Sequence, residues 1–186
     1  MQDSTGSQQP YIDKARSDIS QICTTLSLTG DLRVGLVAFR DHPPQDTLVT
    51  EVTPLTADIS SIASKLNALR ATGGGDGPEC QCDALSDALT ADWRDEATKI
   101  AVLVTDSPPH GIGEAGDGFP GGCPERMFIL EFPANDLLTI IIENDACFVA
   151  DRMASQGIVL VLLSADFYYA KCNFYRPSMS SPVSLL

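Results

Sequence analysis

Two patterns alternate along the chain. Stretches with apolar residues three or four apart give way to short, nearly continuous apolar runs, predicting helices and strands in turn. Ile12, Ala15, Ile19, Ile22, Cys23 and Leu26 recur at helical spacing, so 11–28 predicts an amphipathic helix with one buried face. Gly30 and Asp31 break it. DLRVGLVAFRD predicts a strand over 32–40, closed by His42-Pro43-Pro44. A β-branched stretch over 47–53 predicts its antiparallel partner, stopped by Pro54.

Thr56-Ala57-Asp58 offers a cap for a second helix, in which Ile59, Ile62, Leu66 and Leu69 share a face up to Arg70. ATGGGDGPE reads as a loop. Pro78-Glu79 suits the first turn of a third helix, carried by Cys82, Leu85, Ala88 and Leu89 to near Trp93. The unbroken run Ile100 to Val104 predicts a strand buried on both faces, ending at Asp106. Residues 107–124, dense in glycine and proline, predict a long surface loop of the kind that often carries function. A short helix over 149–156, a buried strand over 158–163 and a terminal helix in DFYYAKCNFY complete the pattern.

Strands alternating with helices, two of the strands wholly apolar, imply an α/β fold around a mainly parallel sheet flanked by helices. In such a fold ligands bind beyond the carboxyl ends of the strands. At 186 residues the chain is the size of one domain, and no run of about 18 apolar residues is present to span a bilayer. The opening MQDSTGSQQPYIDK lacks the basic and apolar regions of a secretory signal, which makes a cytoplasmic setting the expectation.

Charge narrows the partners. With 25 acidic against 12 basic residues and a net charge of −13, the chain suits cations or a basic partner and disfavours a phosphate backbone. The six cysteines are scattered, without C-x-x-C pairs and with only two histidines, so a structural zinc site is not expected and the thiols read as reduced, buried small residues. Cys80 and Cys82 are expected at the start of a helix, on neighbouring faces.

Oxygen donors gather where the binding edge should be. Asp3, Thr5 and Ser7 precede the first helix, Thr72 to Asp76 precede the third, and Asp106 follows a buried strand. The D-x-T-x-S spacing can bring one carboxylate and two hydroxyls to a point, the hard-oxygen chemistry that Mg²⁺ prefers. Each element alone has a plainer meaning: DSTGS a capped turn, GGGDG a flexible loop, Asp106 a turn cap. Their joint order is what points to a metal.

DSTGS at 3–7, TGGGDGPE at 72–79 and VLVTDSPPHG at 102–111 resemble the three loops of the metal-ion-dependent adhesion site (MIDAS) of von Willebrand factor type A domains. GGGDGPE, DWR at 92–94, VTDSPPHG and GFPGGCP at 118–124 are most similar to the branch associated with alpha-kinases. The resemblance covers roughly 3–124 and resumes weakly at ADRMASQGIVLVL. It implies a Rossmann-like fold and a Mg²⁺, or Mn²⁺, held directly by Thr5 and Ser7, with Asp3 and Asp106 acting through water. Asp76 stands where many relatives carry threonine, and Thr72 is a second candidate. The family's open metal position takes a carboxylate from a protein partner, which implies a non-catalytic adhesion-type module. A direct Asp76 ligand would lower the cation's preference for that carboxylate.

The resemblance also implies a central strand before Asp3, of which only Met1 and Gln2 are present, so the first strand is expected to be lacking. Residues 127–148 have no counterpart in the family and read as an atypical insertion, with 177–186 as a tail. One hypothesis for both features is an incomplete or misassembled gene model, which transcript sequencing would test. Two other functions stand beside the adhesion reading. One is a metal-assisted hydrolase using the same carboxylates with His110 as base; the other is a folded remnant without metal function. Gly111, Gly113 and Gly116 match G-x-G-x-x-G but run into DGFPGG instead of a helix, so no dinucleotide site is expected.

Overall fold

In the computed structural model, residues 1–28, 30–124, 127–129, 140–142 and 146–164 are described. A five-stranded sheet forms the frame, built from β1 (Gln2–Asp3), β2 (Val34–Phe39), β3 (Thr50–Thr56), β4 (Lys99–Thr105) and, after a separate pair, β7 (Ile158–Ser164). Its order is β3-β2-β1-β4-β7. All neighbours run parallel except β3, which returns antiparallel along β2. The separate pair is antiparallel, β5 (Met127–Ile129) with β6 (Ile140–Ile142), and lies within the stretch read as an insertion.

The central strand is short but present. Gln2 pairs with Ala38 on one side and Val104 on the other, and Asp3 pairs with Phe39. Two flanking backbone bonds, Val104 N–H to the Met1 carbonyl and Ser4 N–H to the Phe39 carbonyl, both 3.0 Å, extend this stitching. The expectation that the first strand is lacking is thus corrected: two residues suffice to place Asp3 at the carboxyl edge between β2 and β4.

Among the described residues, four helices of two turns or more flank the sheet: α1 (Gln9–Ser27), α2 (Ile59–Ala68), α3 (Gln81–Leu89) and α4 (Ala146–Ser155). The main core lies between α3, α4 and one face of the sheet, with Phe39, Leu85, Leu103, Val149 and Met153 fully buried. A smaller cluster on the opposite face joins Ile62 and Leu66 of α2 to Leu36, with Ala15 and Ile19 of α1 packed against it. The α2 cap is as expected, Asp58 accepting from the N–H groups of Ser60 and Ser61.

Several boundaries differ from the sequence expectation for identifiable reasons. Pro54 does not stop β3. It sits inside an edge strand, where the register jumps between the Leu36–Thr53 and Val34–Thr56 pairs, and a proline there removes no ladder bond. Pro78 and Glu79 lie before α3, whose N-cap is Cys80, and the helix ends at Leu89, short of Trp93. The β4 strand is buried on one face only: Ala101 and Leu103 point into the core, while Ile100 is 52% exposed. Val159, Val161 and Leu163 of β7 are exposed like Ile100, so that apolar face is left open among the described residues. The α1 stripe buries Ile12 and Cys23 but leaves Ile22 and Leu26 partly in solvent. The expected terminal helix in DFYYAKCNFY and the 177–186 tail lie outside the described residues.

Candidate metal centre

Sheet order determines where the site falls. From β1 the chain crosses through α1 to β2 on one side, while β4 lies on the other, so the carboxyl ends of β1 and β4 open a crevice where the connections diverge. Asp3 ends β1 and Asp106 follows β4. The loop before α3 is drawn to the same place by backbone bonds: Thr72 N–H to the Ser4 carbonyl (3.0 Å), Gly6 N–H to the Gly73 carbonyl (3.2 Å) and Glu79 N–H to the Pro108 carbonyl (3.0 Å). Three segments far apart in sequence therefore share one rim.

Within that rim the side chains form a graded set. Asp3 is fully buried; its Oδ1 accepts from the N–H and the hydroxyl of Thr5 (2.9 and 2.8 Å), and its Oδ2 accepts from the Thr105 hydroxyl (2.7 Å). Ser7, which is exposed, donates its hydroxyl to Asp106 Oδ1 at 3.0 Å. Both serine and threonine protons are thus committed to carboxylates, leaving hydroxyl lone pairs as the atoms available to a cation.

The electrostatics favour a positive charge. Burial pushes the Asp3 carboxyl up to about 6, against the pull of its Thr5 and Thr105 hydrogen bonds. Burial, with the neighbouring carboxylates of Asp3 and Asp41, pushes Glu79 up to about 10. Glu79 Oε2 is buried without a hydrogen-bond partner. Desolvated carboxyls crowding one another are destabilised as anions, and a divalent cation relieves both terms.

Four of the five residues expected to ligate metal, Asp3, Thr5, Ser7 and Asp106, stand in two hydrogen-bonded pairs on this rim. The Asp76 Oδ2 accepts from Gly118 N–H at 2.6 Å and Gln45 Nε2 at 3.2 Å, its carboxylate groups with His110 and Asp117, and its Oδ1 is buried with no hydrogen-bond partner. Thr72 is exposed and contributes its backbone N–H to the loop stitching. Sequence reasoning missed Glu79, whose Oε1 lies against the Gly74 backbone, 3.0 Å from where a Cβ would stand. Its signal was present, a glutamate ending the TGGGDGPE loop, but a helix-start role explained it equally well.

His110 is occupied on both sides. Its Nε2 lies 2.8 Å from Asp41 Oδ1 and its Nδ1 2.8 Å from Asp117 Oδ1, with the imidazole wholly buried. Phe119 packs edge-on against both His110 and His42, with centroids 5.0 and 5.3 Å apart. The expected surface loop 107–124 is therefore anchored at His110 and Cys123, both buried. Among the described residues, no helix is long and apolar enough to cross a membrane.

Comparison with known proteins agrees with this architecture. The chain is 29% identical over 147 residues to "Alpha-protein kinase vwkA" of Dictyostelium discoideum, covering 75% of this chain and 22% of that protein. It is 23% identical over 178 residues to a "Putative ariadne-like RING finger protein" of Acanthamoeba polyphaga mimivirus, covering 93% of this chain and 16% of that one. The chain thus spans less than a quarter of either relative. The family profile of the von Willebrand factor type A domain matches residues 1–109, which contain β1 to β4 and Asp3, Thr5, Ser7, Glu79 and Asp106 of the rim. This chain belongs to the von Willebrand factor type A domain family.

Proposed function

We propose that this domain is a non-catalytic, Mg²⁺-dependent protein-interaction module, Mn²⁺ serving as an alternative ion. Domains of this family are typically protein-interaction modules and generally not enzymes. The observation that carries the metal reading is the pairing of Thr5 with Asp3 and of Ser7 with Asp106 on one rim. Thr5 and Ser7 would hold the ion through their oxygens, and Asp3, Asp106 and Glu79 would balance its charge from around it. Asp76, held by Gly118 and Gln45, would add negative potential without a direct bond. With hydroxyls nearest, the ion keeps its appetite for an anionic oxygen, so an acidic side chain of a protein partner is the ligand this chemistry suits.

The hydrolase reading requires a base open to a metal-bound water. Both ring nitrogens of His110 face carboxylates and its side chain is out of solvent, which argues against that role. The burial of Cys23, Cys80, Cys82 and Cys123 as thiols accords with a reducing, cytoplasmic setting within the same proposal.

Phosphatase and esterase assays in Mg²⁺ or Mn²⁺, on the wild type and Asp106→Ala, separate the readings. The module predicts no metal-dependent turnover in either protein. Turnover in the wild type that Asp106→Ala abolishes would replace it with the hydrolase. Capture of acidic peptides from an immobilised peptide library, reversed by chelator, is the matching positive result.

A further inference from the structure

Beside the magnesium rim lies a second group of metal-ligating side chains with different chemistry. One ligand atom each from His42, Cys80, Asp83 and Cys123 lies within 4.8 Å of every other. All four residues are buried, with relative exposures of 1%, 0%, 1% and 3%. They come from three places: the turn after β2, the N-terminal end of α3 and the end of the 107–124 loop. Cys80 and Asp83, three apart at a helix start, share a face.

We propose that these four side chains form a structural zinc site. Two sulfurs, an imidazole nitrogen and a carboxylate oxygen are a donor set for tetrahedral Zn²⁺. Bonds of about 2.0–2.3 Å place tetrahedral ligands about 3.3–3.8 Å apart, inside the observed spread.

Cys123 borders the main apolar core, but unlike an inert core cysteine it also has polar neighbours at its sulfur. The Cys123 sulfur has Cys80, Cys82, His42 and Asp83 as hydrogen-bond partners. His42 Nε2 lies 2.9 Å from Asp83 Oδ2, while its Nδ1 is buried with no hydrogen-bond partner. The imidazole, carboxylate and sulfur pair are close enough to share protons with one another, and a Zn²⁺ would take the place of those protons. Binding would release thiol protons to solvent and leave thiolates on the metal.

The position gives the ion a structural task. Cys80 adjoins Glu79 of the magnesium rim, and the turn bearing His42 also carries Asp46, whose Oδ2 accepts from Gly74 N–H at 3.1 Å. Cys123 would tie the glycine-rich loop to both. The absence of C-x-x-C pairs, which led the sequence analysis to expect no zinc, reflects ligands converging from separated segments.

The test is metal analysis of the purified full chain by mass spectrometry, followed by cobalt substitution. We expect one equivalent of zinc and, with Co²⁺, a near-ultraviolet thiolate charge-transfer band with intense tetrahedral visible bands. The oxygen-lined rim cannot produce the thiolate band, so the two sites are distinguished. Cys123→Ser should abolish that band and weaken Zn²⁺ binding at least about tenfold, whereas Cys23→Ser, in the core away from the cluster, should leave both unchanged. Wild-type protein that takes up neither zinc nor cobalt with a thiolate band overturns the site, as does a Cys80–Cys123 disulfide in the folded protein. These wild-type measurements stand even if Cys123→Ser fails to fold.

Discussion

Ser7 donates its hydroxyl to the Asp106 carboxylate at 3.0 Å, joining two residues 99 positions apart. Neither residue's local sequence requires the contact. It exists because β1 and β4 are neighbours in the sheet and both loops leave from the same edge. Breaking it should loosen the rim before it touches the core. Ser7→Ala, at an exposed position, is expected to change stability by less than about 1 kcal/mol while weakening Mg²⁺ binding, as read by chemical denaturation and calorimetry respectively.

Gly74 fits its place for two reasons. Its φ is +77°, and an added Cβ would stand 3.0 Å from Glu79 Oε1 and 3.2 Å from the Thr5 Cβ. Gly74→Ala should therefore lower stability by about 1–2 kcal/mol and displace Thr5 enough to weaken the cation site. Gly113, with φ +87° and nothing within 4 Å of an added Cβ, is the control: Gly113→Ala carries the backbone cost and should leave metal binding intact. Equal loss of metal binding in both variants would refute the packing argument.

The wrapped and open faces of β4 predict unequal costs. Leu103 is wholly buried, so Leu103→Ala should cost about 2–5 kcal/mol in urea melts. Ile100→Ala, at a site 52% exposed, should cost clearly less. Similar values for the two would mean that the Ile100 face is covered in solution.

His110 and Asp117 give a pH signature. Burial opposes the charge on His110, but the hydrogen bonds to Asp41 and Asp117 outweigh it and raise its pKa above 6.5. Its contribution is then fully present below about pH 6.5 and is lost as pH rises through the folded value. Burial likewise opposes ionised Asp117, yet the Gly111 N–H and His110 hold its pKa below 3.8, so its contribution is lost only as pH falls through that lower value. The stability gap between wild type and His110→Gln should therefore be larger at about pH 5.5 than at about pH 9. A gap that widens with alkali would show His110 to be neutral in the fold.

How much of this was legible in the sequence depends on the range of each signal. The α2 cap at Asp58 and the helical stripe through Ile12 and Ile19 are local, and both are found where spacing places them. Pro54 misled because the rule that proline ends a strand assumes a neighbour on both sides, and among the described residues β3 has one. Ile100 and Val102 misled because an apolar run says that a strand can be covered twice, not that it is. Motif order grouped Asp3, Thr5, Ser7 and Asp106 as candidates, and the fold brings these four to one rim. Glu79 was not among them, since its burial beside Asp3 arises only when the loop before α3 folds over β1. The grouping of His42 with Cys123 was least visible, because it depends on where a long glycine-rich loop comes to rest.

The central claim is that the Asp3, Thr5, Ser7 and Asp106 rim holds a hard divalent cation. Isothermal titration of Mg²⁺, then Mn²⁺, into the folded wild-type chain and Asp106→Ala tests it most directly. Saturable binding at one site in the wild type, at least about tenfold weaker in Asp106→Ala, is the predicted result. A silent titration with both ions, in protein shown by circular dichroism to be folded, would contradict it.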